Sequence, residues 1–225
     1  MQLLIGADLS GLPIAQSMRL ANRHGLIAGA TGTGKTVTLQ RLAEAFSDAG
    51  VAVFAADIKG DLCGLGAAGN PQGKVAERIA GMPFLNYTAK AYPVTLWDIH
   101  GQSGHPLRTT ISEMGPLLLG SLLELTDSQQ SALYAAFKVA DREGLLLLDL
   151  KDLKALLNHL RYHPELLGDD AALMTTGSSQ ALLRRLAVLE QQGAEALFGE
   201  PALQLEDILQ PTGDGRGRIH LLDAS

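Results

Sequence analysis

The segment Gly29-Ala30-Thr31-Gly32-Thr33-Gly34-Lys35-Thr36 constrains this chain more than any other. Three glycines, a lysine and a threonine stand at the spacing of a phosphate-binding loop. Phosphate oxygens need several donors converging on a curved surface, and glycine lets consecutive backbone N–H groups point inward with no Cβ in the way. Around this loop the pattern is that of a strand and a helix. Leu26, Ile27 and Ala28 predict a short buried strand that stops at Gly29. Val37, Leu39, Leu42, Ala43 and Phe46 then recur at helical spacing, and Gly50 stands where the chain would leave that helix in a left-handed turn. Val51 to Ala56 is almost wholly apolar, which predicts a strand covered on both faces. The result is a βαβ unit. A plain turn between strand and helix does not explain Lys35, because a helix N-terminus disfavours a cation. A bound anion removes that conflict, with Lys35 at the β and γ phosphates and the Thr36 hydroxyl offered to Mg²⁺.

The rest of the chain is consistent with a folded protein of this kind. It has 225 residues, enough for one large domain or a domain with an appendage. Hydrophobic residues make up 46% and charged residues 19%, which excludes a disordered chain. The formal charge of -6 gives no global footprint for nucleic acid. A single cysteine, Cys63, forms no intrachain disulfide and argues against the usual structural zinc sites. Asp8 and Gly11 interrupt the apolar start, so no signal peptide is expected. Met114 to Leu125 is too short and too mixed to cross a bilayer of about 30 Å. A reducing, cytoplasmic setting without membrane contact is the expectation.

Four sections follow from periodicity. Residues 1–24 read as an entry hairpin, 25–110 as the phosphate-loop βαβ core, 111–203 as a helical subdomain, and 204–225 as a loop and strand returning to the core. Val94 to Ile99 and Arg218 to Asp223 are further strands of the core. Within the helical section, Thr126 with Gln129 forms a capping-box pattern. Asp149 and Asp152 mark the start of a helix over Leu153 to Tyr162, and Ser179 is the expected cap of a helix from Gln180 to Gln192.

Several other features carry competing readings. Asp57-Ile58-Lys59-Gly60 matches the DxxG of GTPases, but only one helix fits between Thr36 and Val51, and no NKxD follows. Asp57 is therefore either the polar end of the second strand facing a ligand crevice, as a cofactor-binding residue, or part of a simple turn. Leu145 to Asp149 imitates a Walker B strand, yet Asp149 sits where a helix cap belongs. Arg184 and Arg185 are read as a solvated helix face in preference to an arginine finger. Pro164 should break the alignment of His159 with His163, and Asp169 and Asp170 read as loop and helix start. Trp97 and the few other aromatics do not form a single-strand binding platform.

Taken with the loop, Asn22-Arg23-His24-Gly25 before it, Ala56 to Leu62, Trp97-Asp98, Ser112 to Leu119, Leu189 to Gly193 and Phe198 to Leu203 resemble the bacterial HerA-like helicase C-terminal family. That resemblance runs through nearly the whole chain. It implies kinship with the FtsK/HerA hexameric DNA translocases and a P-loop α/β fold: a RecA-like parallel sheet with a helical insertion. It further implies ATP and Mg²⁺ as cofactors, held by Gly29, Ala30, Thr31, Gly32, Thr33, Gly34, Lys35 and Thr36, with Lys35 catalytic. DNA and copies of the chain in a hexameric ring are the implied partners. Family members are about twice this length, and their Asp-Glu-Ala-His strand comes after the counterpart of Arg218 to Asp223. The chain accordingly reads as a fragment of the full fold that binds ATP with little turnover. Two functions follow as expectations: the ATP-binding part of a DNA motor, or a nucleotide-gated assembly module. A metabolite kinase ranks below both, because no arginine-rich lid is visible.

Overall fold

The computed structural model describes residues 2–8 and 10–224. The chain divides into two compact units, residues 1–105 with 204–225, and residues 106–203.

The first unit opens with the expected hairpin, in which β1 (Gln2–Ala7) pairs antiparallel with β2 (Pro13–Ser17). Asp8 closes its turn, its carboxylate accepting from the Ser10 and Leu12 amides at 2.8 Å each. The glycine-rich loop then leads into α1 (Lys35–Asp48). Gly50 leaves this helix with φ +78°, the left-handed exit its position predicts. Next come β3 (Val53–Asp57), the short helix α2 (Lys74–Ala80) and β4 (Val94–Asp98). After the second unit the chain returns through α7 (Leu205–Leu209) to β6 (Ile219–Asp223), and β5 is a two-residue edge piece at His105–Pro106. The sheet order is β3-β6-β4-β5, so the last long strand enters between two earlier ones. β3, β6 and β4 run parallel, with Val53, Ile219 and Val94 level at one end and Asp57, Asp223 and Asp98 level at the other.

One face of this sheet buries Val53, Ala55, Ile219, Leu221 and Val94 against Ala43 of α1 and against Leu62, Leu65 and Tyr92. The other face is partly open. Phe54 is 46% exposed, so the expectation of a strand covered on both faces is corrected for β3. Residues 26–28 depart from expectation too, for they form no strand and Leu26 is 90% exposed. A strand needs a neighbouring backbone to complete its ladder. Among the described residues none pairs with 26–28, so apolar composition alone does not make that segment a strand.

The second unit is helical, and its two ends are zipped together. Thr109 and Phe198 form a parallel bridge, the Leu203 amide donates to the Arg108 carbonyl at 2.8 Å, and the Arg108 guanidinium donates to the Glu200 carbonyl at 2.9 Å. Four helices pack between these ends: α3 (Ile111–Leu122), α4 (Asp127–Glu143), α5 (Leu150–Tyr162) and α6 (Thr176–Gln191). α3 is broken where Gly115 takes φ +70° before Pro116. Leu133, Leu153, Leu157, Leu160, Leu182 and Leu186 form the buried centre of this bundle.

Caps set the helix limits. The Thr126 amide donates to the Gln129 side chain at 3.1 Å, and Asp149 accepts from the Lys151 and Asp152 amides at 2.7 and 3.0 Å, as the sequence predicts. α6 is a correction, because it starts at Thr176 with Thr175 as its cap and Ser179 buried inside the helix. Thr175, Ser178 and Ser179 all have capping chemistry, and only the first takes the extended backbone a cap requires. His159 and His163 are a second correction. Their rings lie 4.4 Å apart, because α5 continues to Tyr162 and the His163 amide still donates to the His159 carbonyl before Pro164. Asp169 and Asp170 fall within a 3-10 stretch, with Asp170 paired to Lys138 at 2.6 Å.

Candidate nucleotide-binding site

The loop from Gly29 to Gly34 is built by its glycines. Gly32 and Gly34 take φ +80° and +95°, a backbone that residues with a Cβ rarely adopt. Gly29 is needed for space instead, since a Cβ there would lie 2.5 Å from the Thr33 Oγ1. Thr33 fixes the middle of the loop, its hydroxyl donating to the Ala30 carbonyl at 2.8 Å. Gly34 is the N-cap of α1 and has no side chain to satisfy the first-turn amides, so the N–H groups at the head of the helix remain free for an anion.

Lys35 folds back over this loop. Its Nζ donates to the Gly29 and Ala30 carbonyls, both at 2.8 Å. The ammonium therefore sits above the loop itself, held only by neutral acceptors. Thr36 follows in the first turn, half-buried. The loop and Thr36 together offer backbone amides, one ammonium and one hydroxyl, the donor set for a phosphate chain with a divalent cation.

α1 is held at both ends. Near its start Gln40 donates to the Asp61 carbonyl at 3.0 Å, which ties it to the loop after β3. At its far end the buried Ser47 is doubly bonded to Gly217. The Ser47 hydroxyl donates to the Gly217 carbonyl at 2.5 Å, and the Gly217 amide donates to the Ser47 carbonyl at 2.8 Å. Asp48 accepts from Lys90 at 2.6 Å and from the Tyr92 hydroxyl at 3.2 Å, and burial pushes the Tyr92 hydroxyl pKa above its ordinary value.

Asp57 and Asp98 do the same local job at the ends of β3 and β4, the two strands that flank β6. Asp57 is buried and accepts from the Lys59, Gly60 and Leu62 amides at 3.3, 2.9 and 2.8 Å. Asp98 accepts from the His100, Gln102 and Ser103 amides at 2.8, 2.7 and 2.8 Å, and these backbone donors hold its carboxyl below the usual range. Each carboxylate closes the loop that follows it.

The other candidates stand on other elements. Arg184 and Arg185 are exposed on α6, with Arg185 3.9 Å from Glu124. Asp149 is spent as the α5 cap, and Cys63 is an exposed free thiol that donates to the Gly60 carbonyl at 3.0 Å. No group of three or more metal-ligating side chains occurs among the described residues.

One polar contact in the sheet escaped sequence reasoning. The Trp97 indole N–H donates to Nδ1 of the buried His220 at 3.0 Å, and His220 Nε2 donates to the Ile208 carbonyl at 3.1 Å. These roles require the neutral ring, and burial lowers the His220 pKa to match. Its partners are 123 and 12 residues away in sequence, so no local pattern signals the contact.

A parallel sheet, a glycine loop heading α1 and an inserted helical unit define a P-loop α/β protein. The helicase HerA-like C-terminal family model matches residues 2–225, and the chain belongs to that family. Among solved structures it is similar to the plasmid coupling protein TrwB in complex with the non-hydrolysable GTP analogue GDPNP. That match has a TM-score of 0.51 and 16% identity over 97% of this chain and 50% of that one. The unbound monoclinic form of the bacterial conjugative coupling protein TrwBdeltaN70 matches equally, with a TM-score of 0.51 and 16% identity over 97% and 50%. The chain thus spans half the length of these structures. No curated protein matches the sequence.

Proposed function

We propose that this chain is the ATP-binding part of a HerA-like motor that couples ATP hydrolysis to movement along DNA, working as a cytoplasmic ring of identical subunits. The observation that carries the nucleotide reading is the loop itself: free helix-start amides, left-handed Gly32 and Gly34, and the Lys35 ammonium 2.8 Å from the Gly29 and Ala30 carbonyls. Family membership supports the motor reading.

The chemistry expected of these residues is positioning and charge neutralisation. The amides from Gly29 to Gly34 hold phosphate oxygens, and Lys35 exchanges two neutral carbonyl acceptors for phosphate. The Thr36 hydroxyl is the ligand this chain offers to Mg²⁺, an ion that neutralises phosphate charge when bound. Asp57 is a weaker candidate for the same crevice, because its oxygens already accept three loop amides. Residues 1–225 are proposed to bind ATP at this loop, and phosphate release measures how far binding and turnover separate.

The test is thermal stabilisation by ATP-Mg²⁺. At a hundred times its dissociation constant the ligand should add about 2.7 kcal/mol to the folded state, and Lys35→Ala should lose most of that gain. Equal shifts for both proteins would remove the assignment. A nucleotide-gated assembly module is the second reading. Phosphate release with and without DNA distinguishes the two.

A further inference from the structure

Residues Val94, Thr95, Leu96, Gly104, His105 and Arg218 line an open, solvent-facing cavity of about 500 Å³ in the first unit, large enough for a small organic ligand. It shares no residue with the phosphate loop. Its strand residues lie at the start of β4 and just before β6, whereas α1, which the phosphate loop heads, is tied through Gln40 to Asp61, beyond the far end of β3.

Arg218 is the unusual member. It is half-buried, yet among the described residues its side chain makes one hydrogen bond, a long one of 3.4 Å to the Thr95 hydroxyl, and it has no ion pair. Arg216, two residues earlier, shows what a satisfied arginine looks like here. It bonds the Asp214 carboxylate through two nitrogens at 2.8 Å and the Ala91 carbonyl at 3.0 Å. A guanidinium has five donors in a fixed fork suited to carboxylate or phosphate, and a partly desolvated one without a counter-ion gains from an anion. His105 also lines the cavity, and Val94 and Leu96 supply an apolar wall. Gly104 lets the loop close tightly on β4, since a Cβ there would lie 2.6 Å from the Leu96 carbonyl oxygen.

We propose that this cavity is a binding site for an organic anion, a phosphate or carboxylate carried on a short apolar body, and that it is separate from the nucleotide loop. Arg218 grips the anionic group with Thr95 and His105, and Val94 with Leu96 covers the body.

Trp97, the sole tryptophan, has its ring 6.0 Å from that of His105 and reports on the site by fluorescence. The protein is titrated with n-butyl phosphate, n-pentanoate and 1-butanol. A saturable change with either anion below about 10 mM, and none with 1-butanol, is expected. Tighter binding of butyl phosphate assigns the site to phosphate esters, and tighter binding of pentanoate assigns it to carboxylates. Arg218→Gln should weaken the better anion about 10-fold or more, and Arg218→Lys should weaken it less. Leu96→Glu, at a side chain already 41% exposed, puts a like charge in the cavity without touching Arg218 and should also abolish binding. Saturation by neither anion, an equal response to 1-butanol, or unchanged affinity in both Arg218→Gln and Leu96→Glu would overturn the proposal. Lys35→Ala should leave the titration as it is. Loss of the anion response in that variant would assign the signal to the nucleotide loop and likewise overturn it.

Discussion

Replacing Gly217 with alanine tests how the far end of α1 is held. A Cβ at Gly217 would lie 2.0 Å from the Val51 carbonyl oxygen, 2.2 Å from its carbonyl carbon and 2.7 Å from its nitrogen. All three are backbone atoms, so no rotamer change relieves the overlap, and the two segments must move apart. Such overpacking costs about 1–3 kcal/mol. The same movement breaks both bonds between Ser47 and Gly217 and leaves the fully buried Ser47 hydroxyl without its acceptor, a further cost of about 1–3 kcal/mol. Gly217→Ala should therefore lose about 2–6 kcal/mol, the upper end of which reaches the whole stability of a marginal domain. Ser47→Ala removes the hydroxyl without the clash and should lose only about 1–3 kcal/mol. Urea unfolding followed by circular dichroism measures both. Gly217→Ala within about 1 kcal/mol of the parent, at an unchanged slope, would show that the α1 end is loose and that the reasoning fails.

Three further outcomes are expected. The folded-state pKa of His220 is depressed, so its contribution to stability is complete above the unfolded value of about 6.5 and is lost as pH falls through the folded one; His220→Gln should flatten that acid limb in unfolding midpoints measured between pH 7 and 5. Asp149→Ala should destabilise the helical unit by about 1–2 kcal/mol through loss of two cap bonds, and a thermal midpoint equal to the parent's would contradict it. In competition against labelled ATP, GTP should be the weaker competitor, since the guanine-reading NKxD of GTPases is absent from the sequence.

What the sequence disclosed about this fold depended on range. The glycine loop and the helix after it are local, and Gly29 to Thr36 with the spacing from Val37 to Phe46 specify them within some twenty residues. The caps at Thr126 and Asp149 are local as well, each closed within three residues. Leu26 to Ala28 has the composition of a strand, but pairing is a property of the neighbour and composition cannot supply one. The same limit hid the Trp97–His220 bond, the pair of hydrogen bonds between Ser47 and Gly217, and the difference between Arg216 and Arg218. At the candidate site, the residue types were legible and the resting posture of Lys35 was not, because its acceptors are the loop's own carbonyls, which every sequence has.

The paired habit of Asp57 and Asp98 bears on how this sheet can vary. Each strand carries its own stop, a carboxylate that captures the next few amides, so the first five residues after it take their path from the strand rather than from whatever lies further on. Downstream, residues 63–93 have no part in that capture at Asp57. Apart from the side chains packed on the sheet, Leu65 and Tyr92, the stretch beyond the Asp57 clip is therefore free to lengthen, shorten or be exchanged without disturbing the level at which the parallel strands end.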